Sequence, residues 1–176
     1  LSVRSGPDDL LKRTYRSRFE AALLRYIRRS RWFGSKAREI RSGAIVEAIP
    51  VQMAERTAFL AILRVEYTEG EPESYLIPVT FAQGDEAAQV TSDSAWSVIA
   101  SVEPKGSPAG TGHLAYDALA SAEFRTALIE TIGRRRTFRG QHGAVSGLRT
   151  RSVYTRTLGA APEKLESTPV RTEQSN

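Results

Sequence analysis

Between residues 11 and 27 the apolar side chains Leu11, Tyr15, Phe19, Leu23, Tyr26 and Ile27 recur at intervals of three and four, the period that predicts an amphipathic helix. Gly6-Pro7-Asp8 reads as a turn that supplies its cap, and the pattern stops near Arg29. Arg13, Arg16, Arg18, Arg25, Arg28 and Arg29 mostly occupy the opposite face, and the last two meet the negative end of the helix dipole. The period then drops to two. Ala44 to Val51 is a short apolar run, Ala58 to Tyr67 places Phe59, Ala61, Leu63, Val65 and Tyr67 on one face, and Tyr75, Ile77, Val79 and Phe81 repeat the alternation. The last two runs flank Thr68-Glu69-Gly70-Glu71-Pro72-Glu73, whose glycine and proline suit a hairpin turn. Pro78 has no N–H to give a ladder, which predicts an edge strand or a bulge. A helix that buries one face of an antiparallel sheet is an α+β unit.

From Ala82 to Gly112 the pattern turns polar and irregular, except for a strand at Trp96 to Val102, and Pro104 to Gly110 has the composition of a loop. A boundary near residue 90 follows, with a first unit over 1–90 and a smaller α+β part over 91–176. In the second part Ser121 is placed to cap a helix carrying Phe124, Leu128 and Ile132 at four-residue spacing and ending at Gly133. Beyond lie a basic segment, Arg134 to Arg139, and a strand around Ala144 to Arg151. The stretch "SRWFGSK", residues 30–36, sits where helix gives way to sheet. It is read as an anchor: Gly34 lets the backbone reverse, and Trp32 and Phe33 pack under the sheet, so Trp32→Ala should destabilise the unit by about 3–5 kcal/mol.

Composition removes several chemistries. Cysteine is absent, which excludes disulfides, thiolate metal sites and cysteine nucleophiles. His113 and His142 cannot by themselves build a metal site. No apolar stretch approaches the roughly 18 residues of a membrane span, so no membrane partner and a cytoplasmic location are expected. The net charge is +5, unevenly spread: twelve Lys or Arg against four acids up to Arg41, and seven Arg against none from Arg134 to Arg156. Arg134, Arg135, Arg136 and Arg139 around Phe138 could clamp phosphate and stack a base, yet arginine past a helix end is also the ordinary dipole complement, so nucleic acid is the weaker reading. "GQHGAVSG", residues 140–147, invites a phosphate-loop reading but fits neither the Rossmann nor the Walker spacing, and is taken as a turn into a strand. No serine stands in a nucleophile elbow and no carboxylate pair is evident. A chain that begins at Leu1 and stops at Asn176 is read as an excised piece of a longer protein.

Four landmarks then line up: a helix running into "RWFGSK", a strand-rich unit containing "YLIPV", the segment "LAYDALASAEFRTALIETIGRRRTFRG", and a final "TEQSN". In this order they resemble the amino-terminal portion of bacterial maltokinases, including those fused to trehalose synthase. The resemblance implies a cystatin-like cap, then the start of a kinase amino-terminal lobe, in a protein that uses ATP and magnesium to phosphorylate maltose to maltose 1-phosphate for α-glucan synthesis. Partners implied are the remaining kinase lobes of the same protein and, in fused members, a trehalose synthase domain. The "EQSN" ending resembles the opening of the family's phosphate loop, which makes Gln174, Ser175 and Asn176 the residues carried over to nucleotide binding. The lysine strand, catalytic aspartate and metal-binding acids have no counterpart in this sequence, so this chain alone is expected to be inactive. The rival reading is a non-catalytic module that docks on a partner domain such as the synthase.

Overall fold

The computed structural model describes residues 1–3, 7–11, 13–104, 112–149 and 166–169. Its main helix, α1, spans Arg13–Arg29 and follows a short 3-10 turn at Pro7–Leu11. Phe19, Ala22, Leu23, Tyr26 and Ile27 are buried along one stripe, while Arg18, Arg25, Arg28 and Arg29 stay exposed. Strands β1 (Ser2–Val3), β2 (Ile40–Gln52), β3 (Thr57–Tyr67), β4 (Glu73–Gln83), β5 (Val98–Pro104) and β6 (His113–Asp117) form one sheet in the order β1-β5-β6-β4-β3-β2. Five of its strands are mutually antiparallel, and only the two-residue β1 joins in parallel. The fold is α+β, as the periodicities predict. After the sheet come α3 (Ala122–Gly133) and a two-stranded ribbon of β7 (Thr137–Arg139) and β8 (Ala144–Ser146).

The expected boundary near residue 90 falls inside this sheet. The chain leaves β4 at Gln83, makes a helix α2 (Gly84–Asp93) with no buried residue, and returns through β5 and β6, which pairs with β4 from Val79↔Asp117 to Gln83↔His113. A surface helix without an apolar stripe reads as a polar linker, which is why the alternation predicts an end where there is only an excursion. Pro78 also needs correcting. It lies in a strand that is interior by order and pairs with Leu60, but the β6 ladder begins only at Val79. From Glu73 to Pro78 β4 has no partner on its β6 side, so Pro78 closes a stretch that is edge-like although the strand as a whole is interior.

One face of the sheet is covered by α1 and the other only in part, since Leu76 on that second face is 55 % exposed. One carries Ala61, Leu63, Val65, Ile77, Val79 and Phe81 and packs on α1 in the larger core. The other carries Ile49, Val51, Ala58 and Leu60 and packs on Phe124 of α3, with Leu128, Phe138 and Val145 at its margin. Ile132, expected on the same stripe, is 41 % exposed, and Thr131 is buried in its place. A β-bulge between Ile45 and Glu47 decides what β2 contributes: Ile45 faces Leu63 and the α1 side, and after the extra residue Glu47, paired with Ile62, joins the phase of Ile49 and Val51. Between Ile45 and Pro50 the free side of β2 is also blocked. Glu20 of α1 accepts from the Ile45 N–H at 2.8 Å, Glu47 accepts from the Ala48 N–H at 2.9 Å, and Pro50 has no N–H to offer.

Candidate functional site

Three polar clusters hold these elements together. The first sits under "SRWFGSK". Glu73, the first residue of β4, accepts hydrogen bonds from the Ser35 hydroxyl at 2.8 Å, the Tyr67 hydroxyl at 2.7 Å, the Tyr75 hydroxyl, and Arg38 Nη1 at 2.9 Å. The Tyr67, Tyr75 and Ser35 hydroxyls, and after them the Arg38 charge, hold its carboxyl down at about 2 against an opposing push from burial. Burial and the Glu73 carboxylate both push the Tyr75 hydroxyl up. Arg38 also lies over the Tyr67 ring, 3.6 Å from its centroid, and donates to the carbonyls of Glu69 and Glu71 in the hairpin loop. The turn after α1 is thereby strapped to the tip of the β3–β4 hairpin.

The two aromatic residues of that turn part company. Phe33 is buried and stands 5.2 Å from the Tyr75 ring, inside the larger core. Trp32 is 48 % exposed, touching Tyr26 and Tyr75 at ring-centroid distances of 6.3 and 6.0 Å. Successive residues of a turn point in different directions, so one ring enters the core and its neighbour roofs it. Gly34 is exposed, its φ lies outside the left-handed region, and a Cβ there would meet nothing within 4 Å. The backbone reversal does not depend on it.

The second cluster centres on Arg56 in the β2–β3 turn. Its Nη1 bonds Glu86 of α2 at 2.7 Å and the Phe81 carbonyl at 3.2 Å, and its Nε meets Glu123 of α3 at 3.1 Å. A cleft of about 480 Å³ opens beside it, bordered by Thr57, Thr80, Gln83, Glu86 and His113 among others. Nearby, in the larger core, the Tyr26 hydroxyl donates to Asp117 Oδ2 at 2.6 Å, and burial pushes both groups up from their ordinary pKa values. Asp117 Oδ1 accepts from the Leu119 N–H at 2.9 Å, which caps the 3-10 turn leading to α3. Ser121 caps α3 itself through the Phe124 N–H, at the position the sequence predicts.

The third cluster answers the question raised by "GQHGAVSG". Its amides do converge on an anion, and the anion is the protein's own Glu47. The N–H groups of Gln141, His142 and Gly143 donate to the Glu47 carboxylate at 3.1, 2.5 and 2.9 Å, and Ala48 N–H completes the set. Burial pushes Glu47 up, but these four donors outweigh it and leave the carboxyl below its usual value. Sequence reasoning passed over Glu47. The signal available was an acid interrupting the apolar run Ala44 to Val51.

The basic segment is also partly occupied. Arg134 and Arg136 approach Glu130 at 3.6 and 3.9 Å, and Phe138 packs against the second core, which removes the ring proposed to stack on a base. Gln174, Ser175 and Asn176 lie outside the described residues. Among the described residues no group of three or more His, Asp or Glu is placed to hold a metal, and no helix is long and apolar enough to cross a membrane.

One helix on a five-stranded antiparallel sheet, whose charged groups brace turns and strands against one another, defines a cap-type α+β module. The family model of the maltokinase N-terminal cap domain matches residues 26–120, more than half of the chain, and the chain belongs to that family. The matched segment opens at Tyr26 in α1 and closes on the 3-10 turn after β6, so it contains the antiparallel sheet and all of "RWFGSK". A comparison with curated proteins finds no significant match.

Proposed function

We propose that this chain is the amino-terminal region of an ATP-dependent maltokinase, contributing its cap and the beginning of its kinase lobe, while phosphoryl transfer from ATP to the anomeric hydroxyl of maltose is carried by other parts of the same protein. The observation that carries this reading is the family match over 26–120, which takes in the last turn of α1 and all five antiparallel strands. On it, the partners of this chain are the remaining kinase lobes, and in a fused protein a trehalose synthase domain. ATP and Mg²⁺ are cofactors of the complete enzyme, which would act in the cytoplasm, and Gln174, Ser175 and Asn176 would open the loop over the nucleotide phosphates. Phosphoryl transfer requires positioned metal ions, a cation for the phosphates and a base for the hydroxyl. Within this chain the clusters at Glu73, Arg56 and Glu47 are already engaged in holding turns and strands in place.

The test is maltose-dependent release of ADP, followed in parallel for the complete protein and for the 176 residues alone. The complete protein should form maltose 1-phosphate and the isolated chain should not. Turnover by the isolated chain would overturn the division of labour, and a complete protein that phosphorylates a different sugar while ignoring maltose would overturn the substrate.

A further inference from the structure

The family match ends at residue 120, yet the contact made by Glu47 reaches past it. Glu47 lies on β2 and is 8 % exposed, and the three consecutive amides it holds belong to the turn of the β7–β8 ribbon, about a hundred positions further along the chain. With Ala48 N–H the carboxylate accepts four hydrogen bonds, two on each oxygen, which is its full capacity. Among the described residues no cation takes part. The ribbon turn is shaped for the contact: Gly140 N–H closes it on the Gly143 carbonyl at 2.8 Å, and a Cβ on Gly140 would stand 2.6 Å from Glu47 Oε1 and 2.8 Å from Ile49. Glycine is required there by close approach rather than by backbone dihedral. On β2 the bulge between Ile45 and Glu47 is what turns the carboxylate toward the ribbon.

From these observations we infer that Glu47 is a latch that fastens the β7–β8 ribbon to the edge strand of the cap sheet, making residues 26–120 and the segment through residue 149 one mechanical body. The apolar part of the junction is small, with Phe138 and Val145 only half-buried against the second core, so the charged contact carries the attachment. A displacement of the ribbon is therefore delivered to β2, and the end of the cap at residue 120 is not a hinge. This inference concerns residues within the chain and does not rest on the maltokinase reading.

Amide hydrogen exchange on the 176-residue chain tests it, together with trypsin cleavage after the exposed Arg139. In Glu47→Gln the shape is kept but an NH₂ group is set against backbone donors. The amides of Gln141, His142 and Gly143 should then exchange about tenfold faster or more, the scale of a lost charge-assisted bond. Cleavage after Arg139 should accelerate, while Leu63 and Ile77 in the sheet interior keep their protection. Unchanged protection of the three amides would overturn the latch. Should Glu47→Gln lose protection in the sheet interior too, Gly140→Ala decides the matter from the ribbon side: release of the same three amides upholds the latch, and retention overturns it.

Discussion

Replacing Phe33 by alanine should cost about 3–5 kcal/mol of stability, whereas the same change at its neighbour Trp32 should cost about 1–2 kcal/mol. The difference follows from where the rings sit. Phe33 is 2 % exposed and enclosed within the larger core, so its removal withdraws a whole ring and leaves a cavity beside Tyr75. Trp32 keeps about half of its surface in water and loses mainly its edge contacts with Tyr26 and Tyr75. With a urea slope of about 2 kcal/mol per molar, Phe33→Ala should lower the unfolding midpoint by about 1.5–2.5 M and Trp32→Ala by about 0.5–1 M. Far-UV circular dichroism follows both variants without depending on the tryptophan that one of them removes. Equal shifts, or a larger one at Trp32, would refute the assignment of the anchor to Phe33 alone.

Glu73 gives a pH dependence. Its folded pKa of about 2 lies below the ordinary 4.5, so its contribution is whole above about pH 4.5 and is lost as the pH falls through about 2. Wild-type stability should fall more steeply than that of Glu73→Gln between those values, and parallel curves would show that the strap contributes nothing. Tyr26→Phe removes the hydroxyl that serves the buried Asp117 and should cost about 1.5–3 kcal/mol in thermal unfolding; a loss below about 0.5 kcal/mol would mean that Asp117 finds another partner. The glycines divide. A Cβ at Gly147 would stand 2.0 Å from the Thr131 carbonyl oxygen, so Gly147→Ala should lower the melting temperature by several degrees, while Gly34→Ala, with open space around it, should stay within about 0.5 kcal/mol of wild type. A melting temperature lowered more at Gly34 than at Gly147 would contradict both assignments.

The periodic parts of the chain are legible in the sequence itself. The three-and-four spacing from Tyr15 to Ile27 became α1, with Phe19, Leu23, Tyr26 and Ile27 buried and Leu11 left in the preceding 3-10 turn, and the alternation through Phe59–Tyr67 and Tyr75–Phe81 became β3 and β4 with those residues turned toward the helix. Ser121 as a cap and the α+β class were equally available, because each is a statement about neighbours within a turn or a pleat. The residues of "RWFGSK" and "YLIPV" also pointed to the family that the match over 26–120 shows.

What only the tertiary structure decided are relations between positions far apart. The polar stretch after Gln83 turned out to be a helical excursion between two strands of one sheet, since α2 buries nothing and so leaves no pattern to read. Trp32 and Phe33 are alike in chemistry and adjacent in the chain, and which ring is enclosed depends on the path of a turn that is fastened to Glu73 some forty residues later. Glu47 would stand on the α1 side of an unbroken strand; the bulge before it changes its face, and only then does it meet the glycine-bounded turn at residues 140–143. Side-chain periodicity is encoded by nearest neighbours, whereas the partner of a buried charge is chosen by the register of strands and the path of the chain between them.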